Sequence, residues 1–204
     1  MQHLSHEELC NQYTNWWSSM DQPTHNLLTQ ILTYEAEYFN DMLLKTPETS
    51  KYLEVLDNNG EQWNLFYDFN LSLDAQKYTF HIKKLEDCAG IHDSSNNSIT
   101  IDPAYLENKE VILHEMVHAY ENILDTCVFS FVKEVVFLEL YKYLQQQNIE
   151  VDKRILAHTN MLSGIDITQR GGRHGVFFFL KTLELDIKCN LPLGTICGYD
   201  RENY

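Results

Sequence analysis

The chain has 204 residues, of which 44% are hydrophobic and 12% aromatic, a composition typical of globular rather than disordered proteins. This length accommodates one core, so we expect a single domain over residues 1–204. The formal net charge of −15 repels nucleic-acid phosphates and anionic lipid headgroups at long range, and we therefore expect neither nucleic acid nor a membrane as a general partner.

Cysteine usage and the first residues bear on the cellular compartment. The five cysteines are scattered and contain no Cys-x-x-Cys pair, which favours a reducing compartment over a disulfide framework. Polar residues follow Met1 at once, without the apolar segment of a secretory signal. Charged residues interrupt the most apolar long stretch, 128–144, which therefore predicts a core helix and not a membrane span. We expect an intracellular protein.

Residues 1–50 are predicted to form a helical N-terminal segment. The stretch from Ser5 to Glu8 has the side chains of an N-terminal capping box. Pro23 separates a first helix from a second one, which is predicted to start at Thr24 and to end before Pro47. The aromatic residues of this segment are interpreted as packing groups.

Residues 61–125 are predicted to form a small β-sheet followed by a helix. After a turn at 57–60, the stretches 63–73 and 77–85 are rich in aromatic and β-branched residues at near-alternating positions. They predict a hairpin or two adjacent strands. A second turn, at 93–97, leads to a further strand.

That further strand is predicted over 98–102. Pro103 then favours a short helix capped by Asp102, and a long helix is predicted to start near Asn108.

The long helix carries the sequence His-Glu-x-x-His. His114 and His118 are four residues apart and share one helix face, so both imidazoles can point at one metal ion with Glu115 beside them. This spacing predicts a zinc metallopeptidase site in which Glu115 is the general base that takes a proton from a zinc-activated water. Six apolar neighbours predict that the helix is buried: Val111, Ile112, Leu113, Met116, Val117 and Ala119. A buried polar group needs a partner, and a metal ion can be that partner.

Two further segments complete the chain. Residues 126–162 are predicted to form inserted helices, over 126–147 and 151–161. Residues 163–204 contain a glycine-rich turn, and the apolar run that starts at Val176 predicts a last helix packed into the core.

Several side chains could supply a third metal ligand. Glu121 shares the face of the two histidines but lies roughly 10 Å along the axis from His114, so an orienting role is the better interpretation. Glu134 and Glu139 on the following helix would match peptidases with a glutamate ligand, and His174 lies between glycines. His158 and His92 are residual alternatives, and Asp166 could orient a ligand imidazole.

The stretch from Leu113 to Tyr120 resembles the active-site helix of the SprT-like zinc metalloproteases, a family that includes the Spartan DNA–protein crosslink proteases. Ala89 and Gly90, with the strand 98–101, are similar to the segment upstream of that helix. Arg173 to Phe178 resembles the family's His-Gly-x-x-Phe element. The resemblance covers roughly residues 87–188. It implies that His114, His118 and His174 bind zinc and that Glu115 is the catalytic base.

The chain also departs from that family. Fifty-five residues separate His118 from His174, which is more than the family's core suggests and indicates an insertion. Cys189 and Cys197 do not supply the paired cysteines of the zinc ribbon that often follows. Because the negative charge is also wrong for a DNA-directed enzyme, we transfer the active site and not DNA–protein crosslink repair.

The predicted fold is α+β, a zincin-like metalloprotease domain whose small sheet lies beside the active-site helix. The predicted activity is zinc-dependent hydrolysis of peptide bonds in a protein or peptide substrate. An extended substrate would bind by pairing with an edge strand of the sheet. Arg170, Arg173 and Tyr120 are candidates for stabilising the oxyanion. The alternative is a zinc-binding interaction or regulatory module with little or no turnover.

Overall fold

The computed structural model describes residues 14–15, 17–40, 71–74, 76–127, 130–149 and 174–198. Several predictions lie outside these residues: the capping box at 5–8, the turn at 57–60, the helix at 151–161, and the side chains of His158, Asp166, Arg170 and Arg173.

Helix α1 (Gln22–Tyr38) confirms the second predicted helix of the N-terminal segment. Asp21 caps it by accepting a hydrogen bond from the backbone N–H of Thr24 at 2.8 Å, and Pro23 lies in the first turn, where a missing N–H has no cost. The helix ends before the predicted boundary at Pro47. At this end the Nζ of Lys181 donates to the Tyr38 carbonyl at 2.6 Å, so a side chain distant in sequence satisfies one of the last helix carbonyls.

A sheet of three strands lies beside the helices: β1 (Thr79–Ile82), β2 (Gly90–Asp93) and β3 (Ser98–Ile101). The strand order is β1-β3-β2. β3 runs parallel to β1, with Thr79 opposite Ser98, and antiparallel to β2, with Gly90 opposite Ile101. The predicted strand at 98–102 is thus confirmed as the central strand.

Of the two strands predicted before the turn at 93–97, the one over 77–85 is confirmed as β1, and the one over 63–73 lies mostly outside the described residues. Residues 71–74 are not a strand, and the hairpin within the described residues is formed by β2 and β3 across the turn at 94–97. Leu71 and Leu73 are buried in an irregular segment, so their alternation reflects packing and not a pleated strand. β2 was missed because it is only four residues long and begins with glycine, which weakens the strand pattern.

Helix α2 (Lys109–Thr126) carries the His-Glu-x-x-His sequence. The predicted cap at Asp102 and the predicted start of the helix near Asn108 are both confirmed. Asp102 accepts from the backbone N–H of Ala104 at a single 3₁₀ turn over Pro103–Tyr105, and Asn108 accepts from that of Val111 at 3.0 Å. The helix packs on β2 and β3 and is buried on most of its circumference.

Three helices follow α2 in the described part of the chain: α3 (Ser130–Gln146), α4 (Val176–Lys188) and α5 (Thr195–Gly198). The predicted helix at 126–147 begins later because Cys127 adopts an extended backbone after α2. The last predicted helix is confirmed as α4, which packs against α2, α3 and α5. Within the described residues, every helix is too short or too polar to span a bilayer.

The N-terminal helix is joined to this core by buried polar contacts. The carboxylate of Glu35 accepts from the hydroxyl of Tyr120 at 2.5 Å and from the backbone N–H of Leu73 at 2.8 Å. Lys181, 2% exposed, also pairs with Glu184. Helices thus flank a small mixed sheet, and the α+β class predicted from the sequence is confirmed.

Candidate metal centre

Three histidines meet where α2 faces the start of α4. One ring nitrogen from each of His114, His118 and His174 lies within 4.8 Å of the other two. The ring centroids form a nearly equilateral triangle with sides of 4.9, 5.1 and 4.9 Å. These distances are short enough for the three side chains to hold a single metal ion.

His114 is fixed by a backbone carbonyl. Its Nδ1 donates to the carbonyl oxygen of Ile196 at 2.8 Å, and because a carbonyl can only accept, Nδ1 carries the proton and Nε2 does not. Burial lowers the pKa of His114 to about 3; the Ile196 carbonyl opposes this shift and the neighbouring His174 adds to it. The imidazole is therefore neutral at pH 7, which is the form that ligates metals.

The backbone segment that supplies the Ile196 carbonyl is held by Asp186, which is wholly buried on α4. One carboxylate oxygen accepts from the backbone N–H of Gly194 at 2.6 Å and the other from that of Ile196 at 3.0 Å. Sequence reasoning missed this residue. The available signal was a carboxylate placed between Leu185 and Ile187 in an apolar helix, where burial requires hydrogen-bond partners.

Phe178 packs against all three histidines. Its ring is stacked on that of His174, with 4.0 Å between centroids and 3° between planes, and it lies 4.7 Å from His114 and 4.4 Å from His118. Phe178 is completely buried. Phe178 lies in the first turn of α4, and His174 lies just before that helix begins.

Glu115 is 3% exposed and lies against the first residue of β2. A Cβ atom placed on Gly90 would be 2.7 Å from Glu115 Cγ and 2.9 Å from its Oε1. Both distances are shorter than non-bonded carbon and oxygen atoms tolerate. The absence of a side chain at Gly90 therefore lets the Glu115 carboxylate occupy this position.

His92 on β2 lies beside the triangle but does not belong to the group of three. Its ring is parallel to that of His118, with centroids 6.1 Å apart. Its Nε2 is 3.0 Å from the hydroxyl of Tyr78, to which the Asn122 amide also donates. Burial lowers the pKa of His92, although Asp93 opposes that shift.

The glutamates considered as a third ligand lie elsewhere. Glu134 is exposed, and Glu139 is 3.7 Å from Lys142 on the same helix. Glu121 contacts the first turn of α4, and burial raises its pKa to about 7. Among the described residues, none of these carboxylates joins the three histidines.

Tyr120 is wrong as a candidate for stabilising an oxyanion. The side chain is fully buried and its hydroxyl donates to Glu35, on the side of α2 that packs against α1. The hydroxyl cannot reach a substrate while it makes that bond.

A known protein family matches the part of the sequence that contains α2, the helix with His114 and His118. No curated protein and no solved structure matches the chain. The sequence model of the SprT-like family matches residues 56–130, which include β1 to β3 and all of α2 but not His174. Over residues 56–130 the chain therefore matches the SprT-like family, which confirms the resemblance for this part of the sequence.

Proposed function

We propose that this chain is a zinc-dependent metallopeptidase that hydrolyses peptide bonds of a protein or peptide substrate, with Glu115 as the general base. The observation that carries the proposal is the triangle of His114, His118 and His174 with a buried carboxylate on the same helix. A purely structural zinc site is normally closed by four ligands and has no use for such a base.

The donor set fits zinc. Three imidazoles with nitrogens this close match a catalytic zinc site, in which three protein ligands leave one coordination position open. The hydrogen bond from His114 Nδ1 to a carbonyl is the usual way in which a ligating histidine is oriented. A zinc ion bound here would supply a Lewis acid for the scissile carbonyl and for a water molecule.

Within that chemistry, the protein has two tasks. Glu115 takes a proton from the attacking water at a carboxylate oxygen and then delivers it to the nitrogen of the leaving amine. The carboxylate is buried, which keeps competing bulk water away from it.

The second task is to hold an extended substrate beside Glu115. Within the described residues, β2 pairs with β3 on one side only, so its other edge can accept a peptide strand next to Gly90. This arrangement supports a zincin-like domain. The net charge of −15 favours basic or neutral peptides over acidic ones.

The test compares metal content with cleavage. Wild-type protein purified without added zinc is examined by elemental analysis beside Glu115→Gln, His174→Ala and Glu139→Ala. Cleavage is followed by mass spectrometry with unfolded casein and a mixture of lysine-rich, neutral and glutamate-rich peptides. We expect about one zinc per chain in the wild type and in the Glu115 and Glu139 variants, and loss of zinc in the His174 variant.

Activity then separates the two hypotheses for this site. Glu115→Gln should retain zinc while its cleavage rate falls by roughly 10²- to 10⁴-fold, the usual contribution of a general base. Zinc loss in Glu139→Ala with retention in His174→Ala would contradict the ligand set. A zinc-loaded wild type that cleaves none of the probes faster than Glu115→Gln would favour the interaction module.

A further inference from the structure

Glu121 lies one turn beyond His118 on α2, and its side chain reaches the beginning of α4. Its Oε1 accepts a hydrogen bond from the backbone N–H of Phe178 at 3.4 Å, and the backbone N–H of Gly175 also donates to the carboxylate. These two amides flank the first turn of α4, immediately after His174. One helix thus supplies two of the histidines and holds the segment that supplies the third.

The first turn of α4 has no other described side-chain cap. The first N–H groups of a helix lack partners within the helix, and a side chain at the N-cap position usually accepts from one of them. Here the N-cap residue is Gly175, which makes no such bond. The Glu121 carboxylate performs this role from a neighbouring helix, because its Oε1 accepts from an amide of that turn.

Gly175 leaves room for the Glu121 carboxylate, and its own backbone conformation does not need glycine. Its φ of −84° is accessible to any residue. A Cβ atom at this position would, however, overlap Glu121 Oε1 and lie 3.1 Å from its Cδ. Glycine next to His174 therefore lets α2 and the start of α4 approach closely.

We infer that Glu121 is a positioning residue, whose carboxylate holds the start of α4 and thereby fixes His174 opposite the two histidines of α2. The inference rests on the proposed metal site and adds a residue to it. Phe178 connects Glu121 to His174. Its backbone N–H donates to the Glu121 carboxylate, and its ring stacks on the ring of His174.

The experiment measures metal affinity in the full chain, by zinc competition with a chromophoric chelator and by the visible absorption of Co²⁺. Glu121→Ala should weaken zinc binding by about 10- to 100-fold and alter the Co²⁺ spectrum, since the ligand geometry changes. Glu121→Gln keeps an oxygen that accepts from the two amides and should recover most of that affinity. Asp125→Asn is the matched control, because it removes an exposed carboxylate one turn further along α2.

Gly175→Ala gives an independent arm. Alone it should weaken metal binding, because the new methyl group displaces the Glu121 carboxylate. In the Glu121→Ala background the methyl group has room, so the double variant should bind metal no more weakly than Glu121→Ala alone. Thermal unfolding of the metal-free proteins identifies any variant that has lost its fold, and the inference is then decided on Glu121→Gln and Gly175→Ala.

The outcomes separate the inference from the proposed function. Weakened binding in Glu121→Ala, recovery in Glu121→Gln and non-additivity with Gly175→Ala support the positioning role. Wild-type affinity and spectrum in Glu121→Ala, or full additivity of the two substitutions, overturn the inference and leave the metal site standing. A wild type that binds neither Zn²⁺ nor Co²⁺ overturns both.

Discussion

Gly90 on β2 and Glu115 on α2 adjoin so closely that a Cβ atom at residue 90 would force the Glu115 side chain to shift. Gly90 opens the edge strand β2, and the Cγ of Glu115 on α2 lies where a Cβ atom on residue 90 would come within 2.7 Å of it. The side chain that we propose as general base therefore lies directly against the backbone of β2 at Gly90.

Substitution Gly90→Ala should reduce peptide hydrolysis without removing zinc. The methyl group forces the Glu115 side chain to move, and a displacement of about 1 Å at a catalytic group lowers the rate by about 10²-fold. Steady-state kinetics and zinc content are measured together. Thr79→Ala, an exposed position on the opposite edge strand, is the control. Equal kinetics in Gly90→Ala and wild type would show that the position of Glu115 does not limit the reaction.

Substitution Asp186→Ala should weaken zinc binding although Asp186 lies outside the group of three histidines. The change removes the acceptors for the backbone N–H groups of Gly194 and Ile196, so the carbonyl that orients His114 loses its support. We expect about a 10- to 100-fold loss of affinity in chelator competition. Asp186→Asn retains one acceptor oxygen, so its zinc affinity should lie between those of Asp186→Ala and the wild type. An unchanged dissociation constant in Asp186→Ala would mean that the Ile196 carbonyl is held by other contacts.

Removal of metal should lower the thermal stability of the wild type. A ligand at 100 times its dissociation constant stabilises the folded state by about 2.7 kcal/mol, which in a chain of this size corresponds to roughly 5–10 °C in Tm. Calorimetry with and without a chelator, followed by addition of zinc, measures this difference. His174→Ala should show little of it at the same zinc concentration. The same rise in Tm in that variant would place the zinc elsewhere in the protein.

Acid should remove the stabilisation that Asp93 gives to the hairpin of β2 and β3. Hydrogen bonds from the hydroxyl of Ser95, the amide of Asn96 and the backbone N–H of Ser95 lower the pKa of Asp93 from 3.8 to about 2. As the pH falls, the Asp93 carboxylate therefore binds a proton in the unfolded chain before it does so in the folded protein. The stabilisation is fully present above about pH 4 and is lost between pH 3.8 and 2.

The measurement compares wild type with Asp93→Asn by urea unfolding of the metal-free protein at pH 6, 5, 4 and 3. Chelation removes any contribution from metal release. The wild type should be more stable at pH 6 and 5, and the difference should shrink as the pH falls below 4. A constant difference over this range would exclude the Asp93 carboxylate as its source.

Local sequence patterns predicted the elements that depend on near neighbours. The spacing of His114 and His118 requires only the 3.6-residue helical period, and the cap at Asp102 requires only that a side chain reach an amide two residues on. The central strand β3 and helix α4 also follow from short-range apolar patterns.

Long-range packing decided what local patterns could not. His174 reaches the other two histidines only because α4 packs against α2, and the choice between it and the glutamates had rested on family resemblance. Tertiary structure alone revealed the Ile196 carbonyl behind His114, since a backbone acceptor leaves no signature in its own side chain. The short strand β2 is defined by its pairing with β3 and not by its own four residues. The sequence by itself thus determined which side chains can bind a metal, and the packing of helices and strands decided which of them meet, because contacts between distant residues depend on the whole core.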